Sequence, residues 1–282
     1  MNYELLNTID VGADIWPDVK KRIKKDHATV LTLAAFPAYG GILAKQGLKG
    51  VNIVDLVTKR TYQTDDYRFF NRVRVPYTSK VEMNDDQSIN VIYDGEPIAR
   101  EFLFPNTRRA AQDIRFNNPD GTLDYIEEYA SDGTLFSNIF YTNNEIQEIV
   151  FYDLQERPVL RYYYYEKNMN FITIEDPVSH KVQKSYETLS AFLQDQVAKL
   201  VDPEDTVTFN YLGIELESLM KTKSHNIIQM AEAPLDESHN LRGNLRAILT
   251  NDIPYVQEVR MSLADFQQLG TTDAPMRKVK IG

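Results

Sequence analysis

The side chains that could do chemistry are few and scattered. The four histidines, His27, His180, His225 and His239, include no two at a metal-ligand spacing. The chain has no cysteine, which excludes thiol nucleophiles, disulfide scaffolds, iron–sulfur ligation and thiolate zinc sites. Neither a P-loop, a G-x-G-x-x-G loop nor a G-x-S-x-G elbow is present. His225-Asn226, near the end of a predicted strand, reads as surface loop rather than as a site. Asp65-Asp66 and Asp85-Asp86 read as solvated turns. The basic run Lys20-Lys21-Arg22 with Lys24-Lys25 reads as a solvated helix face. A net charge of -10 and a pI near 5.0 disfavour nucleic-acid binding, which needs phosphate neutralisation. The expectation is a chain with no catalytic residue, no metal and no cofactor.

Two patterns stand out from this background. Glu148 and Glu156 have the E-x7-E spacing of some retaining glycosyltransferases, where it lies at a strand-to-helix junction. Here the pair falls among predicted strands, which argues against a catalytic role. Aromatics form the second pattern, with about half of the 17 tyrosines lying between Tyr125 and Tyr165. A single strand tyrosine is ordinary cross-strand packing. As a set, Tyr125, Tyr129, Tyr141, Tyr152, Tyr163 and Tyr165 form a candidate surface for an acceptor polypeptide, a glycan or a partner. Each offers a rigid apolar body with a hydroxyl handle.

The elements that would position them follow from periodicity. The front is α/β: a helix over Ile15–Lys25 with Pro17 in its first turn, a buried strand over Thr29–Phe36, a helical Gly41–Gln46, and Val51–Val57 as strand or helix. From about Phe69 to Val182 the period becomes two. Turn signals recur at Asp94-Gly95, Asn117–Gly121, Asp132-Gly133 and Asn143-Asn144, with a softer break at Glu156–Pro158. Strands are expected near 111–117, 122–130, 134–142, 145–152, 158–166 and 170–175, in an antiparallel meander. Alternation puts Tyr125, Glu127 and Tyr129 on one face, and Ile146, Glu148, Val150 and Tyr152 on one face; Tyr162–Tyr165 must split two and two.

The tail returns to α/β. A helix is expected over Ser185–Val201 and a strand over Val207–Tyr211. Gly213–Lys221 is helical and Asn226–Ala231 a strand. Ser262 is an N-cap with Asp265 in the capping-box position, and Lys278–Ile281 begins a strand. The fold class is therefore α/β, with an antiparallel meander (69–182) inserted between two parts (1–68 and 183–282) of one Rossmann-type domain.

The mean hydropathy is -0.42 and the longest apolar run, Val30–Phe36, is interrupted by Thr32, so no membrane span is expected. The first ten residues lack the basic start and apolar core of a secretory signal.

Residues FFNRVRVP (Phe69–Pro76), the stretch Ile114–Asp176 with its NPDG and SDG turns, and the tail IIQMAEAPLDES…NLRAILTN resemble a bacterial family. They are similar to the B subunits, the glycosylation-stabilising co-chaperones, of O-GlcNAc transferases that modify serine-rich-repeat adhesins in the accessory Sec system. The front, VLTLAAFPAYGGILAKQGL, resembles instead the first accessory secretory protein of that system. Both groups share a GT-B scaffold with a meander inserted in its first α/β domain.

The resemblance implies a non-catalytic subunit that binds the Ser-rich acceptor through its meander and presents it to a catalytic glycosyltransferase subunit. It implies a cytoplasmic location and leaves open peripheral membrane association through the complex. It supplies no catalytic residue. The chain is expected to stop where a second GT-B domain would begin. A secretion factor for the glycosylated adhesin, and the acceptor-binding half of an active GT-B enzyme, remain alternatives.

Overall fold

The computed structural model describes residues 1–63, 66–105 and 107–282; Asp65 therefore lies outside the described residues. The chain runs β1 (Asn2–Leu6), α1 (Trp16–Lys25), β2 (Thr29–Thr32), α2 (Tyr39–Gln46), β3 (Gly50–Asn52) and α3 (Ile53–Thr58). Ten strands follow: β4 (Lys80–Met83), β5 (Ile89–Tyr93), β6 (Glu96–Leu103), β7 (Ala111–Asn117), β8 (Leu123–Tyr129), β9 (Leu135–Thr142), β10 (Glu145–Tyr152), β11 (Pro158–Tyr165), β12 (Asn168–Glu175) and β13 (Val182–Tyr186). The tail comprises α4 (Leu189–Leu200), β14 (Thr206–Phe209), α5 (Ile214–Ser218), β15 (His225–Gln229), α6 (Gly243–Thr250), β16 (Glu258–Met261), α7 (Leu263–Leu269) and β17 (Val279–Ile281). Two compact units result.

The first unit holds residues 1–34, 48–53 and 190–282. Its seven-stranded parallel sheet has the order β3-β2-β1-β14-β15-β16-β17. Strand order reverses between β1 and β14, the topological switch point of a doubly wound sheet. Sequence pattern does not announce β1, because Glu4 interrupts an otherwise short apolar run. Glu4 is nonetheless 1% exposed. Arg22 Nε donates to it at 2.9 Å and Asn210 Nδ2 at 3.1 Å. Arg22 thus turns inward from the basic run, while Lys21, Lys24 and Lys25 stay exposed.

The ambiguous Val51–Val57 is both strand and helix, β3 passing directly into α3. The strand expected over Thr29–Phe36 ends at Thr32, where Asn52 Nδ2 donates to Thr32 Oγ1 at 2.8 Å and to the Ala34 carbonyl at 2.7 Å. The predicted cap on α7 is present, Asp265 N donating to Ser262 Oγ at 3.1 Å.

The second unit holds residues 35–47 and 54–189. Its ten-stranded sheet runs β4 to β13 in chain order, each strand antiparallel to its sequence neighbour. Both residues of the β5–β6 turn, Asp94 and Gly95, have positive φ, as do Asn143 and Asn144 between β9 and β10. Such turns twist in the same sense as the strands they join. Glu166 and Lys167 make the same turn between β11 and β12 without a favoured residue type.

Every ladder from β5–β6 to β12–β13 carries a register shift beside its turn. Bulges of this kind increase local twist. They also break simple alternation. Ile146 pairs with Tyr141 and Glu148 with Phe140, so Gln147 is the extra residue and Ile146 parts from the face of Glu148. Ser185, read as helical, lies in β13 opposite Thr173, and α4 starts at Leu189.

Two close approaches hold this unit's irregular segments. Gly133, at φ +80, lies where a Cβ would stand 2.0 Å from the Arg68 amide nitrogen. Arg60 Nη1 donates to the carbonyls of Leu135 at 2.6 Å and Tyr152 at 3.1 Å. Its Nη2 reaches Thr134 Oγ1, and its guanidinium lies 5.5 Å from the Phe136 ring centre. Asp55 is 3.7 Å from Arg60 Nε; burial raises its carboxyl to about 6 against the pull of that cation.

Candidate binding surface

The meander's register builds a row that alternation alone does not reveal. Phe116 pairs with Tyr125, Tyr125 with Phe140, Phe140 with Glu148, Glu148 with Tyr163, and Tyr163 with Phe171. These six residues come from six consecutive strands, β7 to β12, and share one face of the sheet. Phe116 and Tyr125 stack at 4.5 Å between ring centres with planes 14° apart. Tyr125 and Phe140 are 6.0 Å apart, and Tyr163 and Phe171 6.1 Å. Offset and tilted pairs of this kind are favourable. Five of the six are partly buried; Phe171, at the row's end, is 40% exposed.

A second row runs beside it on the same face and is largely polar. Glu101 pairs with Ile114, Ile114 with Glu127, Glu127 with Asn138, Asn138 with Val150, Val150 with Arg161, and Arg161 with Thr173. Arg161 is shared between two carboxylates, Glu148 at 2.7 Å and Glu175 at 3.0 Å. Thr173 Oγ1 donates to Glu175 at 3.2 Å. Two buried acceptors on this row, Glu101 Oε1 and Asn138 Oδ1, have no hydrogen-bond donor among the described residues. Buried acceptors of native proteins are seldom left so. Burial, then the charge of Asp113, pushes Glu101 up to about 8, so it is largely protonated at neutral pH.

The structure divides the six candidate tyrosines. Tyr125 and Tyr163 stand in the aromatic row. Tyr165 follows two residues on from Tyr163 and is 66% exposed. Tyr129 shares their face but is only 1% exposed, its hydroxyl donating to Glu127 Oε2 at 2.6 Å and its ring 4.7 Å from the Arg68 guanidinium. It belongs to the cluster of Val73, Val91, Ala99, Ala111, Ile114 and Leu135, against which Tyr152 packs half-buried. A ring so placed cannot offer itself to a ligand, so Tyr129 is a core residue.

Tyr141 projects to the opposite face, next to Phe140 in sequence and paired with Ile146. The row also contains Phe116, Phe140 and Phe171, which the sequence reading did not include; Phe116 packs against the core cluster as well. The signal for them is the cross-strand register rather than the identity of the aromatic. Burial first, then Glu127 and Asp124, raises the Tyr125 hydroxyl to about 12. It is therefore a donor at physiological pH.

The remaining motifs are structural. Glu148 is committed to Arg161, whereas Glu156 pairs with Arg68 and Arg74. The E-x7-E pair therefore never converges on one point. His225 is an exposed first residue of β15. Asp86 accepts from the Ser88 amide and from Arg100, and Asp66 from the Tyr67 amide, as turn residues do. No group of histidine and carboxylate side chains among the described residues is arranged to hold a metal ion. No helix among them is long and apolar enough to cross a membrane.

No family model and no curated protein matches the chain. Solved structures do. One is a GtfA/B complex bound to UDP and GlcNAc, with TM-score 0.75 and 18% identity over 100% of this chain and 61% of that one. Another is the glycosylation-associated protein complex Gap123 from Streptococcus agalactiae, with TM-score 0.76 and 13% identity over 100% and 60%. A third contains accessory secretory proteins 1, 2 and 3 of Streptococcus pneumoniae, with TM-score 0.75 and 10% identity over 100% and 61%. The chain thus spans about 60% of the length of these structures. At these identities the likeness shows the fold: GT-B-like mixed α/β, with a parallel sheet and a separate antiparallel one.

Proposed function

We propose that this chain is the acceptor-binding, non-catalytic subunit of a protein O-glycosyltransferase. It holds a Ser-rich polypeptide on its meander and presents it to a catalytic partner. The observation that carries this reading is the aromatic row of β7–β12 lying beside a polar row on the same face. A neutral, hydroxyl-rich chain offers little charge and few large side chains. Aromatic surface supplies apolar contact, and the Tyr125 and Tyr163 hydroxyls supply partners for its serines. The net charge of -10 suits a substrate recognised without ion pairing.

Neighbours described as complexes of a transferase with a second subunit support the assignment of a catalytic partner. On this reading the protein acts in the cytoplasm, and any contact with the membrane comes through the assembled complex. A second reading, a secretion factor for an already glycosylated adhesin, draws on the likeness to the accessory secretory complex, whose TM-score of 0.75 is the same but whose identity is lower.

The test is calorimetric binding of an unmodified Ser-rich repeat polypeptide to the wild type and to the double variant Tyr125→Ala/Tyr163→Ala. Affinity is expected to fall at least about tenfold, or 1.4 kcal/mol, with a smaller proportional loss of stability. An unchanged affinity alongside a stability loss of about 2–4 kcal/mol makes these rings packing residues and overturns the assignment. Repeating the titration with the glycosylated polypeptide separates the two readings: the subunit prefers the unmodified form, the secretion factor the modified one.

A further inference from the structure

A crevice of ≈ 440 Å³ opens where β1 and β14 end, at the switch point of the parallel sheet. Doubly wound sheets bind ligands at this position, commonly with backbone amides turned toward a phosphate. Here the amides are already engaged. Asn7 N donates to Glu215 Oε1 at 2.9 Å, and Asn210 N and Tyr211 N donate to Oε2 at 3.1 and 3.0 Å. Glu215 is 3% exposed. One carboxylate from the segment after β14 therefore ties together the ends of the two strands that flank the crevice. The lining contains no lysine, arginine or histidine; its polar members are Asn7, Thr8, Asp10 and Glu215, and its aromatic walls are Trp16 and Tyr211.

We propose that this crevice is an anion site whose anion is built in. Glu215 fills the amide cradle that would otherwise receive a phosphate, so the crevice turns away phosphate-bearing ligands and admits uncharged, hydroxyl-bearing ones. Three backbone amides point at the two oxygens of one carboxylate, the protein's own, and Asp10 adds a second negative charge with no cation among the lining residues. What remains is aromatic wall and acceptor oxygen, suited to a hydroxyl donor. Sugar rings and serine side chains share that chemistry. The inference is independent of the meander surface, since Glu215 belongs to the other unit.

Trp16 is the only tryptophan in the chain, so its fluorescence reports on this crevice directly. Inorganic phosphate and UDP are expected to leave the wild-type signal unchanged. Phosphate is expected to give a saturable change and a raised melting temperature in Glu215→Ala, where the cradle is vacated. A phosphate response in the wild type, or none in folded Glu215→Ala, overturns the proposal.

Glu215→Gln keeps the shape and guards against a variant that fails to fold. Its NH2 group must face either the Asn7 amide or the Asn210 and Tyr211 amides, so at least one of these amide proton resonances is expected to move upfield, and three unchanged resonances overturn the built-in anion. Titrating the wild type with N-acetylglucosamine and, separately, with a short serine peptide distinguishes the two sources of hydroxyl. A response to either supports the ligand class, and silence toward both overturns it.

Discussion

Arg60 and Glu101 show how much a single side chain in this fold can decide. The Arg60 side chain is 4% exposed and serves two carbonyls, a hydroxyl, a carboxylate and an aromatic face. Arg60→Met fills the space but orphans the Leu135 and Tyr152 carbonyls and the half-buried Asp55. Removing one member of a buried ionic network costs about 3–5 kcal/mol, and chemical denaturation should show a loss in that range. A loss under about 1 kcal/mol would mean that water replaces the guanidinium.

Glu101 makes a prediction in pH. Its carboxyl is raised from 4.5 to about 8 by burial and then by Asp113. Between those values the folded chain keeps a proton that the unfolded chain has released. The stabilising contribution is therefore complete below pH 4.5 and is lost as pH rises through about 8. Glu101→Gln mimics the protonated form. It should match the wild type near pH 4 and gain on it steadily up to about pH 9. Parallel stability curves for the two proteins would place Glu101 in contact with water.

At the scale of elements, the turns were legible and the bulges were not. Asp-Gly and Asn-Asn announce positive φ, and strands 111–117 and 145–152 were placed to the residue. Nothing in the local sequence announces a register shift, because a bulge is a property of two strands at once. Hence alternation put Ile146 with Glu148, and the register separated them. The same limit hid the row of Phe116, Phe140 and Phe171. β1 was hidden for another reason: Glu4 is tolerated in a buried strand only because Arg22 and Asn210, far away in sequence, reach it.

Two turn glycines separate backbone freedom from close approach. Gly121 has φ +83 with open space around it, while Gly133 has φ +80 and the Arg68 backbone against it. Gly121→Ala should cost about 1 kcal/mol, the strain of a left-handed alanine. Gly133→Ala should cost several times as much, since backbone must move. Similar melting-temperature drops for the two would show that the Arg68 segment gives way freely.

At the scale of the whole molecule, the fold class followed from the order of its sequence patterns: α/β, then strands of period two, then α/β. What the order could not supply was the candidate site, because the aromatic row draws one residue from each of six strands and lies across them all. That crossing gives the row a fixed length. Adjacent strands stand about 4.8 Å apart, so the distance from Phe116 to Phe171 is about 24 Å, which an extended polypeptide covers in about seven residues at 3.4 Å each. On the proposed function, the row's length sets the length of acceptor that it holds. Affinity for serine peptides should climb with each added residue up to about that length and then level off. A peptide of three residues that binds as tightly as one of ten would mean that only one end of the row is used.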